Sequence, residues 1–308
     1  MNRRVFSPYN VMTVGEVASK DAKELARYVN TDREEFDMAI PFVAPIVEIN
    51  TWSPKKMKQD IQNDYDALKE NGWWARFFSN HDKPRQVSLY GNDKEYWEVS
   101  AKMLAMLLHS LPGTPFVYQG EEIGMTNMCF PYIEDYNDPD AKNTYHQHIL
   151  AGDTPDVALK EAQMISRDNA RTPMQWDDTA NHGFSTADAQ DIYLPVDTAA
   201  DAPTVAAQAD DPDSLLNSVK SLLAFRHAHA DLNADAPFKV LYAPKAKDDY
   251  RPFVWQRGDL ICAVNPAGVS IELPLDLAED LKIQYTIGKA EIVNDTLSLG
   301  AQSFAILG

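Results

Sequence analysis

The sequence predicts an α/β protein in which parallel β/α units come first and a small antiparallel β domain follows. Short β-type runs alternate with helical patterns from residue 10 to about 122, and only short strand patterns follow from Phe238 onward. The alternation allows either an open doubly wound sheet or a barrel. Polar and charged residues cluster where the parallel strands end, and this clustering favours a barrel.

Four β-type runs precede residue 122, and most are apolar at consecutive positions, as strands buried on both faces should be. They are Val11–Glu16, Phe36–Ala44, Ala75–Asp82 and Thr114–Glu121. Helical spacing separates them at Lys20–Asn30, Pro54–Glu70 and Asp93–Leu111. Because a closed barrel needs eight strands, these units correspond to half of one.

Residues 123–212 form a long excursion rich in Asp, Asn, Pro and Thr, with helical pieces at Ala141–Leu150 and Pro155–Met164. A stretch of this length is usually a functional loop region. A helix is predicted at Asp213–Ala230, before the strands Lys239–Ala243, Pro252–Arg257, Leu260–Asn265, Ile271–Pro274, Ile283–Ile287 and Ser303–Leu307. We therefore expect two domains, at residues 1–235 and 236–308, with the excursion inside the first.

Composition excludes several classes of partner. The formal charge of −18 opposes phosphate backbones, so nucleic acid is not expected to bind. No apolar run reaches the roughly 18 residues of a membrane span, and no secretory signal is visible. Cys129 and Cys262 lack metal-ligand spacing and are expected to be free thiols. A cytoplasmic protein without membrane contact is the expectation.

Two acidic side chains, Glu16 and Asp82, each lie at the end of a predicted parallel strand. Carboxylates that converge on one strand-end face are what glycoside cleavage needs, because one donates a proton to the leaving oxygen while another meets the cationic sugar. An acid at a strand end is also the common N-cap of the following helix. Taken alone, the two positions leave both interpretations open.

Four ordered segments are more specific: Met12–Glu16, Ser79–Arg85, Gly113–Met125 and Ser166–Trp176. Together they resemble the α-amylase superfamily, glycoside hydrolase family thirteen, and within it the oligo-1,6-glucosidase and dextran glucosidase branch. The resemblance covers nearly all of residues 1–230. It implies strands 5–8 of a (β/α)8 barrel, the C-terminal half, followed by an antiparallel β-sandwich. It also implies a retaining, exo-acting α-glucosidase that cleaves α-1,6 or short α-glucosides such as isomaltose.

The resemblance implies a role for each matching residue. Glu16 corresponds to the general acid/base after the fifth strand, and Asp82 to the carboxylate after the seventh that stabilises the transition state. His81 matches a residue that binds sugar hydroxyls, and Arg171 one that holds the non-reducing end. Since an acid/base must be protonated when the bond breaks, we expect Glu16 to be buried near another carboxylate, whereas Asp82 should stay ionised. Glu121 and Glu122 are expected to hydrogen-bond a loop.

A retaining mechanism also needs a nucleophilic carboxylate. The family carries it as an aspartate that ends the fourth strand, but residues 1–15 contain no Asp or Glu. We therefore expect a fragment that is inactive alone, with the missing N-terminal half as one candidate partner. No cofactor is expected, and the family's calcium site would lie in that missing half.

Two other functions stay open. The first is a non-catalytic relative that uses the fold for sugar binding or assembly, which the retained Glu16 and Asp82 disfavour. The second is a sucrose-acting or trehalose-acting member of the same superfamily.

Overall fold

A computed structural model of the chain describes residues 2–19, 21–32, 35–41, 54–69, 72–73, 75–199, 201–242, 252–274 and 281–308. The chain divides into two compact units. The first unit comprises Met1–Phe78, Met106–Phe116 and Leu223–Gly308, and the second comprises Ser79–Ala105 and Val117–Leu222. Within the described part of the chain, no helix has the length and apolar character that a membrane crossing requires.

The first unit contains two pairs of parallel strands. Strand β1 (Val14–Val17) pairs with β2 (Met38–Pro41), and β3 (Ala75–Arg76) pairs with β4 (Thr114–Pro115). Helices α1 (Ala22–Val29) and α2 (Pro54–Leu68) follow β1 and β2. The helices pack on the first pair of strands through a buried apolar cluster formed by Val17, Leu25, Val29, Ala39 and Leu68. The predicted alternation and its parallel pairing are therefore present in the structure.

The strands are shorter than the sequence predicts. The last pair in the ladder between β3 and β4 is Arg76 with Pro115, and beyond it the Phe116 amide donates to the Arg76 carbonyl at 2.7 Å. Residues 79–82 are predicted as strand, but residues 79 and 80 have no regular structure and His81 and Asp82 lie in a turn, where the Asn80 side chain accepts a hydrogen bond from the Asp82 amide. Residues 42–44 of the predicted second strand, and residues 20, 70 and 243 at the ends of other predicted elements, lie outside the described residues.

The regular elements described in the second unit are helices. Its helices are α3 (Gln86–Tyr90), the first part of α4 (Trp97–Ser110), α5 (Pro139–Ala151), α6 (Pro155–Ile165), α7 (Asp168–Arg171), α8 (Val205–Ala209) and the first part of α9 (Leu215–Ala228). Helices α5 and α6 lie within the predicted excursion. Each begins with a side-chain cap followed by proline, from Asp138 and Thr154 respectively. A buried cluster that includes Phe130, Tyr136 and Ala162 packs beneath them.

The rest of the first unit is antiparallel. Five strands form one sheet in the order β5 (Phe238–Tyr242), β6 (Phe253–Arg257), β7 (Leu260–Asn265), β12 (Ser303–Leu307) and β9 (Ile283–Ile287). Three form another, in the order β10 (Ala290–Val293), β11 (Thr296–Leu299) and β8 (Ile271–Pro274). Side chains from both sheets share one buried cluster that includes Ile261, Leu273, Leu297 and Ala305. The antiparallel pattern predicted after Phe238 is thus observed, with one additional hairpin.

Two arginines of the first unit, one on a strand and one on a helix, contact the C-terminal end of α4. Arg257 on β6 donates to the Ser110 carbonyl at 2.7 Å, and Arg226 on α9 donates to the His109 carbonyl. Cations are favourable at a helix C-terminus, where the last carbonyls have no partner in the helix. Both arginines are buried, and burial lowers the pKa of Arg257 to about 10.

Candidate active site

Asp82 lies in a tight turn that follows β3. The Asn80 side chain accepts a hydrogen bond from the Asp82 amide at 2.8 Å, and the Asn80 carbonyl accepts one from Lys83 at 3.2 Å. The turn leaves His81 largely exposed and Asp82 partly exposed, with side-chain accessibilities of 61% and 28%. His81 Nε2 lies 3.4 Å from Asp82 Oδ2. The two residues therefore present an imidazole and a carboxylate side by side.

Arg171, the last residue of α7, contacts this turn with two different nitrogen atoms. Its Nε donates to the His81 carbonyl at 2.8 Å, and its Nη2 donates to Asp82 Oδ1 at 2.5 Å. A guanidinium presents its donors in a fixed planar fork, so two bonds fix its orientation. Three of the four predicted site residues thus lie together within the second unit.

Arg167 also approaches Asp82, and the sequence analysis did not identify it. Its Nη1 lies 3.8 Å from Asp82 Oδ1, and its Nη2 lies 3.0 Å from Asp138 Oδ1. Hydrogen bonds to the Asp138 carboxylate raise the pKa of Arg167. Arg167 precedes Arg171 by four residues, so helical spacing from Arg171 was the feature that could have identified it.

Two buried carboxylates fasten the base of the α5–α6 hairpin to the segment that carries these arginines. Asp138 accepts from the Arg167 amide at 2.8 Å and from Ser166 Oγ at 3.3 Å. Asp168 accepts in return from the amides of Asn137 and Asp138, at 2.6 and 2.9 Å. Burial opposes ionisation of Asp138, but its bonds from Arg167 outweigh burial and hold its pKa below the ordinary value. We call this reciprocal arrangement of Asp138 and Asp168 the carboxylate clasp.

Arg85 and Tyr118 fix α7 from another side. Arg85 is buried and donates to the Asn169 carbonyl at 3.2 Å and to the Gln119 carbonyl. The Tyr118 hydroxyl donates to the Ala170 carbonyl at 2.9 Å. Burial lowers the pKa of Arg85. Because Arg171 follows Ala170 directly, these bonds set the position from which Arg171 reaches Asp82.

Glu121 is buried in the short 3-10 turn after β4, where it accepts from Ser79 and from the Tyr118 amide at 3.1 Å. Glu122 accepts from the Gly120 amide at 2.9 Å. The prediction that both glutamates hydrogen-bond a loop is confirmed. Burial raises the pKa of Glu121 to about 7, although its two hydrogen bonds act in the opposite direction.

Glu16 lies on β1 in the first unit, opposite Ile40 of β2 in the parallel register. Its side chain is exposed, so the expectation that Glu16 is buried is wrong for this structure. The reason is the alternation along β1: Gly15 and Val17 are buried, whereas Val14 and Glu16 are exposed.

The two cysteines are free thiols, as predicted. Among the residues that the structure describes, no three His, Cys, Asp or Glu side chains lie together as a metal site would require.

Comparison with known proteins places the chain in a family. The family description "Alpha amylase, catalytic domain" matches residues 1–235. An oligo-1,6-glucosidase of Parageobacillus thermoglucosidasius is 40% identical over 238 residues, which are 74% of this chain and 42% of that relative. A trehalose-6-phosphate hydrolase of Bacillus subtilis (strain 168) is 36% identical over 266 residues, 83% of this chain and 46% of that relative.

A solved structure shares the fold. It is a mutant of isomaltulose synthase from Erwinia rhapontici NX5 in complex with sucrose, with a TM-score of 0.87 and 27% identity. The match covers 99% of this chain and 56% of that chain. The chain spans about half the length of the relatives that it matches. It belongs to the α-amylase family, glycoside hydrolase family thirteen.

Proposed function

We propose that the chain provides part of the active site of a retaining, exo-acting α-glucosidase whose substrates are α-1,6-linked or short α-glucosides such as isomaltose. Asp82 stabilises the transition state, Glu16 is the general acid/base, and His81 and Arg171 bind the terminal glucose. The names of similar oligo-1,6-glucosidases support this substrate class.

The contact between Arg171 and the Asp82 turn carries the proposal. One guanidinium binds both the Asp82 carboxylate and the His81 carbonyl, and all three side chains remain partly or largely exposed. Carboxylate, imidazole and guanidinium groups together offer acceptors and donors that match the vicinal hydroxyls of a hexose. This accessibility leaves the three groups open to contact with a bound sugar.

Asp82 acts electrostatically in the proposed reaction. Its carboxylate accepts hydrogen bonds from ring hydroxyls, and these bonds strengthen as positive charge develops on the sugar. Arg171 and Arg167 place positive charge 2.5 and 3.8 Å from the same carboxylate oxygen. The two arginines therefore orient the carboxylate that we propose stabilises the transition state.

Glu16 transfers protons in the proposed reaction. It protonates the glycosidic oxygen as the bond breaks, then accepts a proton from the water that releases glucose. The intervening covalent intermediate needs a nucleophilic carboxylate as well. We propose that the N-terminal half of the family's barrel supplies it and that these 308 residues alone do not turn over substrate.

The same proposal assigns the fold. The four parallel strands would be strands 5–8 of a (β/α)8 barrel in residues 1–235, with the excursion at 123–212. Residues 236–308 would then form a closing β-sandwich. The parallel pairing of β1 with β2 and of β3 with β4 supports the first assignment. The buried cluster shared by the two antiparallel sheets supports the second.

A sucrose-acting or trehalose-acting enzyme is the second candidate. A trehalose-6-phosphate hydrolase and a sucrose complex of isomaltulose synthase are among the similar proteins, so the same site chemistry is compatible with these sugars. A comparison of binding of isomaltose, sucrose, trehalose and trehalose 6-phosphate separates the candidates.

Calorimetric titration of the full chain with isomaltose tests the proposal. We expect saturable binding that the D82N variant weakens at least tenfold. The matched control is D210N, which changes an exposed aspartate in the turn after α8. Absence of binding, or equal affinity in D82N and the unaltered chain, would contradict the proposed function. Tighter binding of sucrose or trehalose than of isomaltose would favour the second candidate.

A further inference from the structure

The turn that carries His81 and Asp82 is anchored at both of its flanks by one segment, Tyr118–Glu121. Before the turn, Ser79 bonds the Glu121 carboxyl group. After the turn, Arg85 donates to the Gln119 carbonyl. A displacement of this segment would therefore move the turn from both sides.

Glu121 approaches the turn closely because the preceding residue is glycine. Gly120 has a φ of 91°, in the left-handed region that glycine adopts without strain. A Cβ atom at Gly120 would lie 2.9 Å from Arg85 Nη1 and would also collide with Met125 Sδ. The local backbone is thus shaped to bring Glu121 and Arg85 together beneath the turn.

The contacts of Glu121 determine where a proton can reside. Its Oε2 accepts from the Tyr118 amide, which can only donate. Its Oε1 faces the Ser79 hydroxyl, which can donate or accept. In the ionised form Ser79 donates to Oε1; in the protonated form Oε1 carries the proton and donates to Ser79. Proton uptake therefore reverses the hydrogen bond at the start of the turn, and the Ser79 hydroxyl must turn to another acceptor.

We propose that Glu121 is a positioning residue for Asp82, and that the protonation state of its carboxyl group adjusts the turn through Ser79. The relevance of this coupling to sugar binding rests on the function proposed above. The coupling between the Glu121 carboxyl group and the turn involves only residues of the second unit, and it can be measured without sugar.

Some groups around Glu121 raise its pKa and others lower it. Burial raises its pKa to about 7, Glu122 adds to that effect, and Arg85 opposes it. Burial raises the pKa of Tyr90, and nearby Glu121 adds to that effect. Burial has the largest effect on the pKa of Glu121. Because that pKa is about 7, both protonation states of Glu121 are populated near neutral pH.

Nuclear magnetic resonance of the isotopically labelled full chain across a pH series tests the proposal. The Glu121 carboxyl carbon reports its protonation, and the Asn80 and Asp82 amides report the turn. The series is repeated in H81Q, which removes the imidazole group from the turn. The variants are E121Q, S79A and the matched control E122Q.

We expect the turn amides to shift with the midpoint of the Glu121 carboxyl in the unaltered chain, H81Q and E122Q. In E121Q this midpoint should vanish. In S79A Glu121 should still titrate while the turn no longer follows it. The proposal is overturned if the turn amides do not follow Glu121 in the unaltered chain, or if they keep the midpoint in E121Q. If E121Q does not fold, S79A decides: a turn that still follows Glu121 overturns the proposal, and an uncoupled turn supports it.

Addition of isomaltose to the same samples keeps the two proposals separate. A turn that follows Glu121 but does not respond to sugar would reject the proposed function and retain the positioning role. A turn that responds to sugar but not to Glu121 would support the proposed function and reject the positioning role.

Discussion

Arg171 makes the most specific contact of the candidate site, because its planar guanidinium bonds the His81 carbonyl and Asp82 at once. A lysine ammonium cannot reproduce both bonds in this fixed geometry. We expect R171K to weaken isomaltose binding by about tenfold or more, since one charge-assisted hydrogen bond contributes about 1.5–3 kcal/mol. Calorimetric titration measures the change.

The control for this variant is R27K, at an exposed position near the end of α1. It should bind isomaltose as the unaltered chain does. An R171K affinity within twofold of the unaltered chain would mean that Arg171 does not hold the sugar.

Glu121 makes stability depend on pH. Its pKa is about 7 in the folded chain, above the ordinary value of 4.5 that applies after unfolding. The folded chain therefore retains a proton that the unfolded chain has lost, and the free energy of unfolding falls as pH rises from about 4.5 to about 7. The contribution lost is on the order of 3 kcal/mol.

Urea unfolding of the unaltered chain, E121Q and E122Q at a series of pH values measures this contribution. The E121Q curve should lack the decline, whereas the E122Q curve should keep it. If E121Q showed the same decline, a group other than Glu121 would be responsible for the fall in the free energy of unfolding.

The sequence analysis assigned His81, Asp82 and Arg171 to one site because each belongs to a recognisable segment, and the structure places the three together, while their roles stay predictions. It did not identify Arg167, whose approach to Asp82 depends on the carboxylate clasp. That clasp joins positions about 30 residues apart, and local sequence patterns carry no information on such pairing.

At the scale of elements, the clasp holds the α5–α6 hairpin to the segment that carries Arg167 and Arg171. Asp138 also caps α5 by accepting from the Asp140 amide. We expect D138A to lower the free energy of unfolding by about 3 kcal/mol, because it removes a helix cap and a buried partner of Arg167. Since the folded pKa of Asp138 is depressed, this contribution is present above about pH 4 and is lost as pH falls further.

Urea unfolding at neutral pH compares D138A with D140A, whose side chain is 73% exposed. We expect D140A to cost less than about 1 kcal/mol. Equal losses in the two variants would show that the clasp does not stabilise the hairpin.

The elements predicted well are those with a long periodic pattern, such as α4 and α9, whose ends differ from the prediction by a few residues. The hairpin of β10 and β11 was missed because its strands are short and partly polar. Its two-residue turn, Asn294-Asp295, has positive φ at both positions. Asn and Asp adopt positive φ more readily than other non-glycine residues, so this pair could have suggested a hairpin turn.

At the scale of the whole molecule, the proposed chemistry needs a nucleophile in addition to Glu16 and Asp82. We expect the purified chain to release no glucose from isomaltose above the background rate. An assay of glucose release, with the Parageobacillus thermoglucosidasius oligo-1,6-glucosidase as a positive control, checks this. Turnover by the chain that E16Q abolishes would show that a nucleophile is present after all.

A crystal structure of the full chain with isomaltose would locate the sugar relative to the proposed site. We expect the terminal glucose to lie against Asp82, with its hydroxyl groups bonded to Asp82, His81 and Arg171. Isomaltose bound at another surface, with the Asp82 turn unoccupied at saturating sugar, would contradict this expectation.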